Sequence, residues 1–192
     1  MDLCDNKEIK NTDLIEGCRA GDNAARKALY TLYANKLLAV CYRYTGDIDA
    51  AHDVLHDAFI KIFTKFNFRG NGSLWAWMKR IVVTQAIDYL RKEQRFVLME
   101  DGAHDFMANQ FDESIYDDDE EEMLSEQTLM SFIADLPDGC RTVFNLFVLE
   151  GKTHREIAEL LHIKVQTSAS QLYRAKYLLA ERIKKHTNHA KE

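Results

Sequence analysis

The sequence contains few residues that interrupt a helix, with a single Pro and eight Gly among 192 residues. Pro and Gly are the two residues that most disfavour a helix interior. Long segments repeat apolar residues at spacings of three and four, and we therefore predict an all-α protein. The chain also lacks an apolar run approaching the ~20 residues of a membrane span. Its start, MDLCDNKEIK, lacks the pattern of a secretory signal, so we expect no direct membrane insertion.

Cysteines are few and scattered. Cys4, Cys18, Cys41 and Cys140 show no CxxC spacing, which argues against a zinc finger or a disulfide framework. We expect reduced thiols, a cytoplasmic location and no cofactor.

The acidic charge of the chain is confined to its middle. The net charge is -6, but residues 1–95 carry +3, residues 96–126 carry -12 without a single Lys or Arg, and residues 127–192 carry +3. A run of like charges repels itself and resists compaction. We predict an N-terminal helical bundle over 1–95, an acidic flexible linker over 96–126 and a C-terminal four-helix domain with a helix-turn-helix over 127–192.

Local signals place the helices of the first domain. Thr12 or Asp13 is predicted to begin the first helix, and Gly46 to end the second. A third helix begins at Asp47 or Asp49 and contains the motif HDVLHD.

The HDVLHD motif raises the possibility of a metal site. His52 and His56 stand at i and i+4, the spacing that puts two imidazoles on one helical face. Zinc hydrolases of this type need a Glu directly after the first His and a third ligand. The sequence has neither at this position, so we interpret the motif as a polar surface rather than a metal centre.

The stretch 66–95 combines a glycine-broken aromatic loop with a basic helix. Gly70 and Gly72 break the loop, and Ser73 can cap the helix that follows. Rings and cations together suit unpaired nucleic acid, because bases stack on the rings and cations bind the phosphates. A core helix with a solvated cationic side remains the alternative interpretation.

The second domain predicts a helix-turn-helix. Thr153 and Glu156 have the spacing of a capping box. The chain turns near His162, and a second helix runs from about Gln166 to Lys184. That helix is predicted to present Gln, hydroxyl and Arg side chains to the edges of bases in a major groove. A helix-turn-helix used only for packing is the alternative.

Two stretches carry a family resemblance, DAAHDVLHDAFIKIFTKF...SLWAWMKRIVVTQAIDYLRK and LPDGCRTVFNLFVLEGKTHREIAELLHIKVQTSASQLYRAK. Together, and in this order, they resemble an extracytoplasmic-function sigma factor of bacterial RNA polymerase. The resemblance implies two helical domains on a flexible linker. It also implies a protein without enzymatic activity that gives core polymerase its choice of promoter.

The resemblance implies three groups of contact residues. Those that dock on core polymerase are His52, Asp53, His56, Asp57 and Phe59. Those that capture and melt the minus-10 element are Phe66, Phe68, Arg69, Asn71, Lys79, Arg80, Thr84 and Arg91. Those that read duplex minus-35 DNA are Arg155, Lys164, Gln166, Thr167, Ser170, Tyr173 and Arg174.

This chain departs from the family pattern at several of these positions. His52 and His56 stand where members usually have Glu and Gln, and Thr84 stands where most have Asn. Ala169 replaces a commonly basic residue. His162 replaces the Gly of the turn, which requires a left-handed or nearby conformation of His.

The implied partners are core RNA polymerase, through its clamp coiled coil and flap regions, duplex and single-stranded promoter DNA, and an anti-sigma factor. Three other functions are compatible with parts of the sequence. They are an ordinary helix-turn-helix regulator, a metal-dependent hydrolase built on HDVLHD, and an anti-regulator that binds polymerase but no promoter.

Overall fold

A computed structural model describes residues 5–93 and 125–189. Within these two ranges the regular elements are helices, and no strand occurs. The chain divides into two compact units, residues 1–89 and 90–192. The prediction of an all-α protein with two helical domains is confirmed. The acidic segment predicted as a linker lies almost entirely outside the described residues.

The first unit contains α1 (Asp5–Ala20), α2 (Asn23–Thr45), α3 (Ile48–Thr64) and most of α4 (Leu74–Lys92). Local chemistry sets several of their ends. The Asp22 carboxylate accepts bonds from the amides of Ala24 and Ala25, and Asp47 accepts from Ala50. Gly46 ends α2 with a left-handed φ of 69°. The prediction that Thr12 or Asp13 begins the first helix is wrong, because α1 already begins at Asp5.

The core of the first unit lies between α2, α3 and α4. Each helix contributes fully buried side chains at helical spacing, among them Leu37, Val54, Ile62, Met78 and Val82. Burial of such side chains contributes about 1.5–3 kcal/mol each relative to exposure. The packing therefore fixes which sides of α3 and α4 face solvent.

The second unit contains α5 (Glu126–Ala134), α6 (Asp138–Phe144), a π-helical turn (Asn145–Leu149), α7 (His154–Leu161) and α8 (Val165–His189). Its core joins Ile133, Leu136 and Cys140 to Ala175 and Leu179 of α8. The helix predicted from about Gln166 to Lys184 corresponds to α8, which begins at Val165 and continues beyond Lys184 to His189.

A buried guanidinium holds the start of this unit together. Arg141 donates hydrogen bonds of 2.7 Å to the carbonyls of Ala134 and Leu136, and it pairs with Asp138. The carbonyls at the end of a helix lack partners within that helix. Arg141 satisfies the carbonyl of the last residue of α5 and one carbonyl in the turn that follows, and thereby fixes the turn into α6.

The π-helical turn changes which side chains of this segment are buried. The amide of Glu150 donates to the carbonyl of Asn145, and that of Lys152 to the carbonyl of Leu146. These wider bonds offset the side chains that follow from regular helical positions. Leu149, inside this turn, is 36% exposed, whereas Leu146 is fully buried.

Every helix in the described ranges is too short or too polar to span a membrane.

Candidate functional site

The polar side of α3 lies at the surface of the first unit. His52, Asp53, His56 and Asp57 are all exposed, as expected for a docking surface. Among the described residues, no three His, Cys, Asp or Glu side chains come close enough together to hold a metal ion.

Phe59 does not belong to that exposed side. It is 4% exposed, and its ring lies 4.7 Å from that of Tyr30 and 5.4 Å from that of Phe63, measured between centroids. The expectation that Phe59 meets a partner directly therefore needs correction. Its ring packs against Tyr30 and Phe63 on the apolar side of α3.

A buried amide lies beneath the exposed side of α3. Nε2 of Gln85 on α4 donates a 3.0 Å hydrogen bond to the Asp57 carboxylate. One turn further along both helices, Lys61 approaches Asp88 at 3.8 Å. The first of these contacts fixes a carboxylate of the candidate docking surface from the neighbouring helix.

The loop between α3 and α4 has a packed base and an open tip. At the base, the rings of Phe66 and Phe68 lie 5.3 and 5.6 Å from that of Trp77. At the tip, Arg69 and Asn71 are exposed. Phe68 is 5% exposed, so the expectation that it offers a free ring to a base is corrected. Its ring anchors the loop on α4.

The helix after the loop presents a polar side to solvent. The Ser73 hydroxyl accepts a bond from the amide of Ala76, which confirms the predicted cap. Arg80, Thr84 and Arg91 are exposed, and Lys79 is half-buried. The Thr84 hydroxyl donates a 2.8 Å hydrogen bond to the Arg80 carbonyl, and its oxygen remains available as an acceptor.

In the second unit, α7, a short turn and α8 form the predicted helix-turn-helix. The capping box is present, with Thr153 and Glu156 each bonding the other's backbone amide. The bonds that Glu156 accepts, from the Thr153 amide and then from its hydroxyl, lower the pKa of this carboxyl. His162 ends α7 at φ 56° and ψ 42°, which confirms the predicted left-handed turn.

Two polar contacts join α8 to the helices that pack against it. The His154 ring stacks on Phe147 at 4.6 Å, and its Nδ1 lies 3.0 Å from the buried Ser168 hydroxyl. The Cys140 thiol lies 2.9 Å from Oε1 of Gln171, to which it donates. Together these contacts hold α6 and α7 against α8.

The residues predicted to read duplex DNA divide by burial. Arg155, Lys164 and Gln166 are exposed, while Thr167, Tyr173 and Arg174 are half-buried. Ser170 is 9% exposed and donates to the Gln166 carbonyl. The expectation of an outward Ser170 is therefore wrong, because α8 turns that position toward the core.

Arg174 also has an inward neighbour. Burial raises the pKa of the Cys140 thiol to about 11, and the nearby Arg174 guanidinium partly opposes that rise. Arg174 thus lies close to the core of the unit as well as on the side of α8 predicted to face DNA.

The contacts of several supporting residues were not predicted from the sequence: Arg19, which donates to the loop, Gln85, Arg141 and His154. Arg19 and Gln85 bond partners 49 and 28 residues away. No local pattern identifies such pairs.

Exposed cations and amides at a helix-turn-helix, together with a basic loop and helix in a separate unit, are typical of a nucleic-acid-binding protein. The family described as Sigma-70 region 2 matches residues 29–96, and the family described as Sigma-70, region 4 matches residues 126–179.

Curated relatives match nearly the whole chain. The ECF RNA polymerase sigma-E factor of Haemophilus influenzae is 31% identical over 185 residues, covering 92% of this chain and 97% of its own. The RNA polymerase sigma-H factor of Pseudomonas aeruginosa is 29% identical, covering 87% and 90%. A solved structure, the sigma factor RpoE in complex with the anti-sigma factor NepR from Bartonella quintana, matches at 22% identity. Its TM-score is 0.47, and the match covers 82% of this chain and 96% of that one.

The chain belongs to the sigma-70 family of RNA polymerase sigma factors, in its extracytoplasmic-function group. It acts in transcription initiation, with RNA polymerase and promoter DNA as its partners. An ordinary helix-turn-helix regulator and a hydrolase built on HDVLHD are not favoured.

Proposed function

We propose that this sigma factor docks on core polymerase through the exposed side of α3 and reads the promoter at two separate places. The observation that supports this most strongly is the loop between α3 and α4. Its base is packed on Trp77, and its tip presents Arg69 and Asn71 to solvent. An anchored loop with a polar tip can hold an extruded base in a defined position.

The minus-10 element would be held as an unpaired strand. Unstacking a base costs a few kcal/mol, and contacts with the loop tip and with the strand's phosphates offset that cost. Arg80 and Arg91 lie exposed on α4 to bind phosphates, and Thr84 offers its hydroxyl oxygen to a base. Phe66 is half-buried and places an aromatic ring at the edge of this surface.

The minus-35 element would be read as duplex by the start of α8. Gln166 lies in the first turn of that helix, preceded by Lys164, and Arg155 lies near the start of α7. In a helix-turn-helix the N-terminal residues of the second helix meet the base edges. We assign Gln166 to base contact and the two cations to phosphates.

Core polymerase is needed for tight binding. The predicted domains, 1–95 and 127–192, each carry a net charge of only +3. Affinity for DNA rises with the number of phosphates that are neutralised. We propose that the protein itself performs no covalent chemistry, uses no cofactor, acts in the cytoplasm and is regulated by an anti-sigma factor.

Run-off transcription with purified core polymerase tests the proposal. Core polymerase should initiate at promoters of this protein only when the protein is added. Asp53→Ala should reduce that activity by weakening the association with core polymerase, whereas Asp13→Ala, an exposed Asp on α1, should not. Equal activity with and without the protein would exclude a sigma function.

A DNA-binding control separates the two surfaces. Gln166→Ala should reduce protection of the minus-35 region in the holoenzyme and leave its association with core polymerase unchanged. Loss of core association in this variant would contradict the assignment of α8 to DNA.

A further inference from the structure

Arg19, in the last turn of α1, reaches the loop that carries the candidate minus-10 contacts. Its Nη2 donates a 2.9 Å hydrogen bond to the backbone carbonyl of Phe68. The next residue is Arg69, the first polar residue of the exposed tip. One guanidinium therefore holds the backbone directly before the tip.

None of the described residues anchors the tip of the loop in a comparable way. Gly70 and Gly72 take left-handed φ values of 82° and 88°, and a Cβ at either position would meet no atom within 4 Å. The part of the chain that the structure describes thus leaves open space around the tip, while the base is held by Trp77 and by Arg19. The position of Arg69 and Asn71 depends on how firmly the base is fixed.

The place of Arg19 is itself fixed by a close approach of two helices. A Cβ built on Gly17 would lie 2.6 Å from the Cβ of Ala25, closer than real side chains come. The backbone of α1 can therefore approach α2 only because residue 17 has no side chain. Arg19 follows two residues later, before the turn at Gly21 and Asp22.

We propose that Arg19 is a positioning residue for promoter recognition, and that α1 belongs to the apparatus that selects the minus-10 sequence. The segment matched to Sigma-70 region 2 begins at residue 29, so α1 lies outside it. The inference rests on the proposed function of the loop. Arg19 acts through the Phe68 carbonyl and needs no contact with DNA.

The test uses holoenzyme assembled from core polymerase and the full chain. The probes are promoter fragments with a pre-melted minus-10 region, in which each non-template position carries each of the four bases in turn. The affinity of holoenzyme for every fragment gives the base preference at each position. Asn71→Ala identifies the position that the loop tip reads.

Arg19→Ala should lower the base preference at that same position about tenfold, the ratio expected when one hydrogen bond to a charged group is lost. Arg19→Lys keeps a donor and the charge and should recover part of the preference. Lys27→Ala removes one exposed cation from α2 and serves as the matched control. Affinity for core polymerase and the thermal midpoint should change little in all three variants, since Ala and Lys both favour a helix.

A second variant moves α1 without touching Arg19. Gly17→Ala should push α1 away from Ala25 and lower the base preference at the same position. If Arg19→Ala keeps the preference of the parent while Asn71→Ala loses it, the loop reads DNA as proposed but Arg19 does not position it. If the parent shows no base preference at any position, the proposed function of the loop fails and the inference fails with it.

Discussion

The amide nitrogen of Gln85 lies 3.0 Å from the Asp57 carboxylate and donates a hydrogen bond to it. Asp57 is exposed on α3, whereas Gln85 is 4% exposed on α4. Oε1 of Gln85 has no hydrogen-bond partner among the described residues. A buried amide with one unsatisfied end is costly, so stability alone does not explain why Gln85 is placed beneath Asp57.

Gln85→Met should weaken association with core polymerase by about 1 kcal/mol, the typical net value of one hydrogen bond. The physical reason is that Asp57 loses the group that orients it. The free energy of unfolding should change little, because the unsatisfied oxygen is removed together with the bond. Titration of labelled protein with core polymerase measures the first quantity, and urea unfolding the second.

A double-mutant cycle checks that the effect passes through Asp57. In an Asp57→Ala background, Gln85→Met should produce no further loss of affinity, because coupled residues are not additive. If Gln85→Met lowers the affinity for core polymerase equally in the parent and in the Asp57→Ala background, Gln85 does not act through Asp57.

Arg174→Ala should weaken minus-35 binding by about 1–3 kcal/mol and leave the association with core polymerase unchanged. Lys184→Ala removes an equal charge from an exposed position further along α8 and is the control. Because Arg174 also lies near Cys140, the thermal midpoint is measured in parallel. A fall in the midpoint with unchanged DNA affinity would assign Arg174 to the core.

The features of this fold that the sequence predicts are those produced by residues close together along the chain. The cap at Ser73, the capping box of Thr153 with Glu156 and the left-handed turn at His162 all follow from residues within one helical turn. Local chemistry determines these features, and all of them were predicted correctly.

The candidate site was predicted less completely because packing decides which side chains stay exposed. Phe68 and Ser170 carry the right chemistry for nucleic acid, yet the packing of α4 and α8 buries them. The π-helical turn offsets its side chains from a regular helical repeat and leaves Leu149 partly exposed. The bond from Arg19 to Phe68 spans 49 residues and requires the tertiary structure.

His162→Gly should raise the free energy of unfolding by about 0.5–1 kcal/mol. A left-handed conformation costs an L-residue about 1–2 kcal/mol, and the extra entropy of unfolded Gly offsets part of that gain. Thermal and urea unfolding measure the change. His162→Val should be destabilising, since a branched side chain tolerates φ 56° poorly. A less stable Gly variant would mean that the His side chain itself stabilises the turn.

Stability should fall at alkaline pH because of a buried thiol. Burial raises the pKa of Cys41 from 9.0 to about 12, so the folded protein keeps this thiol protonated when the unfolded chain has ionised it. The stabilisation is complete below pH 9 and is lost as the pH rises from 9 towards 12.

Urea unfolding at pH 8 and pH 10 measures this effect. The parent should lose about 1 kcal/mol more than Cys41→Ala does between these two pH values. The Ala variant is less stable at both pH values because it contains a cavity, but it has no thiol at position 41 that could ionise. Identical pH dependence in the two proteins would exclude Cys41 as the cause.

The 2.6 Å separation between Ala25 and a Cβ built on Gly17 also bears on how this protein can diverge. Only one side-chain methyl group fits between positions 17 and 25. A larger residue at one position therefore requires a smaller residue at the other. In descendants of this chain that keep the same helix crossing, the two positions are expected to covary. A lineage that acquires Ala at 17 should acquire Gly at 25, and the exchange in either order would pass through a less well packed intermediate.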